Sequence, residues 1–300
     1  MNEYLVYING EFFPASKACI NVQDHGLLYG SGIFEGIRAY NGRVFKLVEH
    51  IDRLFDSAKM INLDIGKTKD QIISYVLETL RKNNLEEAYI RLIVTRGYGN
   101  LGLDPRNCKV PTIIIIAQPM SPIADPRGIK CITSSMRRIP PSVFSPNIKS
   151  LNYLNNVLAK MEATQRGCDE AIFLDMNGNV AEGSAENIFM VKNGILITPP
   201  YIHSLRGITR DTILNISKEM DDFVEIQERD VSIFEFYAAD EVFMTGTAAE
   251  LAPVIEIDGR KIGDGKPGDM TLLLQDQFKK LVNNSGTKIE NKKDEIYIGC

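Results

Sequence analysis

One stretch of this chain carries neither period of regular structure. Residues 119–128, PMSPIADPRG, hold three prolines and a glycine, with no apolar repeat. Proline fixes φ and lacks a backbone donor, so neither a helix nor an inner strand runs through such a segment. At 300 residues the chain is long enough for two cores. The break therefore predicts an N-terminal domain over 1–120, an interdomain linker at 119–128 and a larger C-terminal domain over 129–300.

Local signals on both sides are of mixed type. YLVYINGEFFP reads as two short strands around Asn9-Gly10, a hairpin signal. Over 46–62, Leu47, Ile51, Leu54, Phe55 and Ala58 form the stripe of an amphipathic helix. Thr68 and Gln71 make a capping box before a helix that runs to about Lys82, and strand-like runs follow at 89–97 and 110–120. Beyond the break, KCITSSMRRI reads as a strand and NYLNNVLAKMEATQRG as a helix ended by Gly167. Residues 170–198 read as a meander of hairpins turning at Asn177-Gly178 and Asn193-Gly194. A helix is predicted over 209–220, and Ser232 with Glu235 caps another short one. Strands and helices joined by hairpins predict an α+β fold rather than a doubly wound parallel sheet.

Several function classes conflict with the composition. A formal charge of −5 argues against a nucleic-acid binder, and the basic pairs Arg81-Lys82, Arg137-Arg138 and Lys292-Lys293 read as solvated surface. MNEYLVYINGEFF lacks a basic start followed by an apolar run, and the aliphatic run Ile113–Ala117 is too short for a bilayer. No membrane association is expected, and the cytosol is the default. Cys19, Cys108, Cys131, Cys168 and Cys300 are odd in number and never in CxxC spacing, which suits reduced thiols. His25, His50 and His203 show no metal-binding spacing, and His25 reads as a hydrogen-bonded structural residue. Gly97 to Gly102 matches GxGxxG, but Pro105 and Pro111 deny the helix that a dinucleotide site needs, so a flexible glycine loop is expected.

Four segments carry candidate chemistry. Lys149 follows Pro140, Pro141 and Pro146 and precedes a helix, so a pinned chain can aim its amine into a cleft. Glu182 follows a hairpin and suits a protonated ring nitrogen; Glu186 is a rival, because strand alternation puts both on one face. Gly207-Ile208-Thr209 opens a helix whose free amides and dipole suit phosphate, although any helix N-cap looks the same. The small residues Gly246-Thr247-Ala248-Ala249 leave amides free for a carboxylate.

Taken in order, YGSGIFEGIRAY (29–40), VEHIDRLFDSAK (48–59), KSLNYLNN (149–156), EGSAEN (182–187), GITRD (207–211) and GTAAE (246–250) resemble the fold-type IV pyridoxal-phosphate enzymes. Among these the chain most resembles the branched-chain amino acid aminotransferases, from about Tyr7 to about Gly268. The resemblance implies a two-domain enzyme with its active site at the domain interface and pyridoxal 5′-phosphate as cofactor. It makes Lys149 the Schiff-base lysine and proton carrier, Glu182 the partner of the ring nitrogen and Tyr153 the donor to the phenolic oxygen. Arg53, Ile208, Thr209 and Thr247 would hold the phosphate. Tyr29, Phe34, Gly36 and the Leu103 loop would form the apolar pocket, part of it from a partner subunit, which implies a homodimer at least. Arg91 and the Thr247–Ala248 turn would lie on the substrate carboxylate side. The substrates implied are branched-chain amino acids, glutamate and their 2-oxo acids. A D-amino acid aminotransferase or an aminodeoxychorismate lyase of the same fold stands as the alternative.

Overall fold

The computed structural model describes residues 3–121, 125 and 127–289. Two compact units divide the chain: Met1–Met120 with the segment from Val282 onward, and Ser121–Leu281. The expected linker falls at this division, but residues 122–124 and 126 lie outside the described residues, as do Lys292 and Lys293. The expected range 129–300 ends too late. Strand pairing returns the chain to the first unit near Val282, and no local signal in the sequence announces it.

The first unit is an antiparallel sheet backed by helices. Its elements are β1 (Leu5–Ile8), β2 (Glu11–Pro14), α1 (His25–Tyr29), β3 (Gly32–Tyr40), β4 (Arg43–Val44), α2 (Leu47–Met60), α3 (Lys69–Lys82), β5 (Ala88–Thr95) and β6 (Thr112–Gln118). The β1–β2 turn places Asn9 and Gly10 at positive φ, as the hairpin signal requires. Period two is plain in β5. Ala88, Ile90, Leu92 and Val94 are buried in the core, while Tyr89, Arg91 and Ile93 alternate with them toward the other face. That core also takes Leu47, Ile51 and Leu54 from α2 and Ile72, Val76 and Leu80 from α3. Each such side chain contributes about 1.5–3 kcal/mol on burial. The capping box of Thr68 and Gln71 is formed at the start of α3.

No α-helix opens after the GxGxxG match; only a single 3-10 turn, Pro105–Asn107, follows it. Gly97 has φ +87°, and a Cβ there would meet the Val110 carbonyl oxygen at 1.8 Å; one on Gly99 would meet Cys108 Sγ and His25 Nε2. These glycines permit close packing rather than the flexible loop expected. His25 is buried with Nε2 2.8 Å from the Asn100 carbonyl, in keeping with a structural role.

The second unit holds β7 (Ile129–Arg137), α4 (Leu154–Gln165), β8 (Glu170–Leu174), β9 (Val180–Gly183), β10 (Asn187–Lys192), β11 (Ile195–Thr198), α5 (Ile208–Lys218), β12 (Glu225–Glu228), α6 (Ile233–Tyr237), β13 (Glu241–Gly246), β14 (Glu250–Ile257) and β15 (Arg260–Lys261). Then follow α7 (Asp269–Asn284), which the sequence reading left unassigned, and β16 (Thr287–Lys288). The second sheet runs β12-β11-β10-β13-β14-β7-β8-β9, with β15 on β14, and β7 pairs in parallel with both its neighbours. The expected meander over 170–198 is two separate hairpins. β8–β9 lies at one end of the sheet, while β10–β11 is separated from it by β13, β14 and β7. In the first unit the order is β16-β4-β3-β5-β6-β1-β2, so β16 closes the edge beside β4. Among the described residues no helix is long and apolar enough to cross a membrane.

Candidate active site

In the second unit, turns pin the segment before α4. Val143 N–H donates to the Pro140 carbonyl, Ile148 N–H to Ser145 and Ser150 N–H to Ile148. Asn147 ties the same segment to a second loop: its Nδ2 donates to the Tyr201 carbonyl, and its Oδ1 accepts from Arg206 N–H. Lys149 emerges from this frame, and Tyr153 is the N-cap residue of α4. Lys149 Nζ lies 3.4 Å from Tyr153 Oη and 5.9 Å from the centre of its ring. Both side chains line a cleft with Glu182, Ser184, Ala185 and Leu205.

Glu182 is delivered by β9, opposite Phe173 of β8, and is 5% exposed. Arg138, just past the end of β7, donates Nε to Glu182 Oε1 at 2.5 Å. Leu205 N–H donates to Oε2 at 3.1 Å, with Asn187 Nδ2 at 3.4 Å. Burial pushes the Glu182 carboxyl above its usual range, while Arg138, the Leu205 amide and Lys149 oppose that rise. The rival Glu186 does not share this face. β9 ends at Gly183 and residues 184–186 turn, which breaks the alternation. Glu186 Oε2 instead accepts from Ala185 N–H, and its carboxyl is pushed up to about 8 by burial and by neighbouring Glu170. Glu170 in turn accepts from Lys160 Nζ at 2.7 Å.

α5 begins within three residues of the cleft residue Leu205. Its N-cap, Gly207, supplies no side-chain cap, so the first amides lack that partner, and Ile208 and Thr209 stand in the first turn. A Cβ on Gly207 would lie 1.9 Å from Asn187 Oδ1, which explains the glycine. Thr247 and Ala248 form the turn between β13 and β14. Gly246 packs there against Glu186 and Ala185, since a Cβ would meet Glu186 Cγ at 3.3 Å. Next to this turn, Thr245 Oγ1 is buried without a partner among the described residues. Ile208, Thr209, Thr247 and Ala248 do not line the cleft themselves; they adjoin residues that do.

The remaining predicted residues lie in the first unit and fall into three groups. Phe34, Gly36 and Arg91 share one face of the sheet: Arg91 Cζ is 4.6 Å from the Phe34 ring centre, and Gly36 pairs with Arg91. Tyr89, which the sequence reading missed, completes the group with its hydroxyl 3.0 Å from Arg91 Nη2. A Cβ on Gly36 would fall 2.2 Å from that hydroxyl. Arg53 is not with them. It sits on α2 and donates Nε and Nη2 to Glu35, whose side chain alternates to the opposite face of β3. Glu35 also meets His50 Nδ1 at 2.7 Å; burial raises its carboxyl, but Arg53 and His50 override that and hold it at about 2. Tyr29 hydrogen-bonds the Leu101 carbonyl, so the third group is Tyr29 with the loop of Leu101 and Leu103. Leu101 and Leu103 are 69% and 78% exposed.

Arg138 overturns one reading. As half of the Arg137-Arg138 pair it read as surface, yet its side chain is 11% exposed and paired with Glu182. Its partner is 44 residues away, so no local pattern reveals it. Tyr89 was within reach, being two residues from Arg91 on a strand of period two.

The donor set fits pyridoxal phosphate: an amine for its aldehyde, a hydroxyl beside that amine, a buried carboxylate for its ring nitrogen and an uncapped helix N-terminus for its phosphate. Three donors already sit on Glu182, from Arg138, Leu205 and Asn187. A carboxylate offers about four acceptor positions, which leaves room for a ring N–H.

The sequence model of the family described as Amino-transferase class IV matches residues 32–257. A Methanocaldococcus jannaschii protein, provisionally named a branched-chain-amino-acid aminotransferase, is 54% identical over 285 residues, 95% of this chain and 98% of its own. The branched-chain amino acid aminotransferase of Escherichia coli has a crystal structure that superposes with a TM-score of 0.91 at 37% identity, over 97% of this chain and 98% of that one. The branched-chain amino acid aminotransferase of Thermobaculum terrenum, in its PLP-bound holo-form, gives 0.86 at 32% identity over 94% of each chain.

Proposed function

The chain belongs to the class IV amino-transferase family, and from that premise we propose that it is a pyridoxal-phosphate-dependent branched-chain amino acid aminotransferase. It converts L-leucine, L-isoleucine or L-valine with 2-oxoglutarate into the branched 2-oxo acid and L-glutamate, and the reverse. The names of the similar proteins support the substrate class. The observation that carries the chemistry is the single cleft lined by Lys149, Tyr153 and Glu182.

When bound, the cofactor supplies an aldehyde that carries the amino group and a protonated ring that draws the electron pair from substrate Cα. Lys149 Nζ is the amine that holds the aldehyde. Once displaced by substrate, it is the base that takes the proton from Cα and returns it. Tyr153 Oη, beside that amine, donates to the phenolic oxygen. Glu182 keeps the ring nitrogen protonated. The α5 N-terminus with Ile208 and Thr209, together with Thr247 and Arg53, holds the phosphate, and Glu35 fixes the Arg53 guanidinium by its fork.

The substrate pocket takes Tyr29, Phe34, Gly36, Arg91, Leu103, Thr247 and Ala248. It must accept an aliphatic side chain and a glutamate carboxylate in turn. Arg91 lies against the Phe34 and Tyr89 rings and so offers a charge on an apolar wall; it is the residue assigned to that carboxylate. A second copy of the chain covers the exposed Leu101–Leu103 loop and the outer stripe of α4, where Leu154, Val157, Leu158 and Met161 stand out. The active protein is thus a homodimer at least. Free thiols at Cys19, Cys108, Cys131 and Cys168 suit the cytosol.

Borohydride reduction of the cofactor-loaded protein, followed by peptide mapping, should place the phosphopyridoxyl group on Lys149. A label on Lys130 or Lys160 would overturn the assignment. In a spectroscopic half-reaction panel, L-leucine, L-valine and L-glutamate should each bleach the cofactor band. Bleaching by D-alanine alone would refute the substrate class.

A further inference from the structure

We propose that Arg138 is the positioning residue of the ring-nitrogen site, fixing the Glu182 carboxylate in place and in its charged form throughout the reaction. The inference rests on reading Glu182 as the partner of the cofactor's ring nitrogen. Arg138 is itself held from two directions. Its backbone N–H donates to the Leu174 carbonyl at 2.9 Å, and its guanidinium carbon lies 5.9 Å from the ring centre of Phe173. Phe173 is the register partner of Glu182, so acid, base and ring form one block across β8 and β9.

The charges facing Glu182 are few. From the end of β7 comes Arg138, from the segment before α4 come Lys149 and Tyr153, and the amides of Leu205 and Asn187 complete the surroundings. Lys149 is the group consumed and released by catalysis, so its charge opposite Glu182 changes from step to step. A guanidinium cannot be deprotonated in a protein and its charge never changes. Burial favours the neutral carboxyl, and a neutral Glu182 would no longer hold a proton on a pyridine nitrogen. Arg138 is therefore what keeps the electron sink available in both half-reactions, acting through Glu182.

The test compares Arg138→Gln, which keeps a donor and loses the charge, with Arg138→Lys, which keeps the charge. Pyridoxal phosphate affinity of the cofactor-free chain is titrated by fluorescence across pH, without amino acid, beside thermal melting. The leucine–2-oxoglutarate rate is followed in the loaded enzyme. For Arg138→Gln the expected result is about tenfold weaker cofactor binding at neutral pH, recovering toward wild type in alkali. The acid limb of kcat should move up by about one pH unit, with KM for leucine within about twofold. Arg138→Lys should keep the limb within about half a unit of wild type. An Arg138→Gln protein that melts like wild type and shows an unmoved limb and affinity overturns the proposal. So does an Arg138→Lys protein whose acid limb moves up by about one pH unit from wild type, a result that decides the matter even if the glutamine variant fails to fold. If wild-type protein binds pyridoxal phosphate but ignores leucine, the substrate reading fails while the affinity titration still tests Arg138.

Discussion

Lys149 and Arg138 lie in the same cleft, yet only one of them was legible before the fold. Lys149 was marked by its proline-pinned approach and by motifs that followed it in a fixed order. Arg138 sat in a basic doublet, and its meaning comes from β9, which brings Glu182 alongside. Lys149→Ala should lower transfer by at least about 10²–10⁴-fold in a coupled glutamate assay, since it removes the base itself. Near-wild-type turnover in that variant would exclude the role. Another single residue sets an alkaline limit. Folding raises the Glu186 carboxyl from 4.5 to about 8, so the stability it contributes is full below about pH 4.5 and is lost as pH rises through about 8. Glu186→Gln can still accept from the Ala185 amide and donate to Glu170. It should therefore flatten the fall in melting temperature between about pH 5 and about pH 9. An unchanged slope would place the alkaline loss elsewhere. Glu35 works in the opposite sense. Its carboxyl is held at about 2, so its contribution is present above about pH 4.5 and fades only in strong acid.

Among the elements, the capped helices were legible in the sequence and the order of the second sheet was not. The boxes of Thr68 with Gln71 and Ser232 with Glu235 are both formed. Thr68→Ala should cost about 1 kcal/mol in urea unfolding, because one orphan amide of α3 loses its acceptor. α7 carries Leu274, Phe278 and Val282 at helical spacing on its buried face, so its period was present in the chain though left unassigned. Nothing local separates β8–β9 from β10–β11 in the sheet. That order depends on β7 pairing in parallel with both β8 and β14, through crossovers that leave no mark in a ten-residue window. The start of α5 gives the sharpest element-scale test. Gly207→Ala must displace Asn187, whose Nδ2 is already committed to the Leu205 carbonyl. The expected outcome is a loss of about 1–3 kcal/mol in stability, with weaker pyridoxal phosphate binding by fluorescence titration. Binding and melting both equal to wild type would show that Asn187 yields without consequence.

Over the whole molecule, the proline-rich break falls where the two compact units divide, and the second unit ends at Leu281. The chain leaves the first unit at Met120 and comes back at Val282, where β16 pairs with β4. Phe278, 3% exposed on the returning helix, should cost about 3–5 kcal/mol when cut to alanine, read by chemical denaturation. The return also has a consequence for biosynthesis. A ribosome releases residues in order, so Thr287 and Lys288 emerge only after the second unit is already outside the exit tunnel. Until then β4 waits with an open edge, and the first-made part of the protein is the last to be finished.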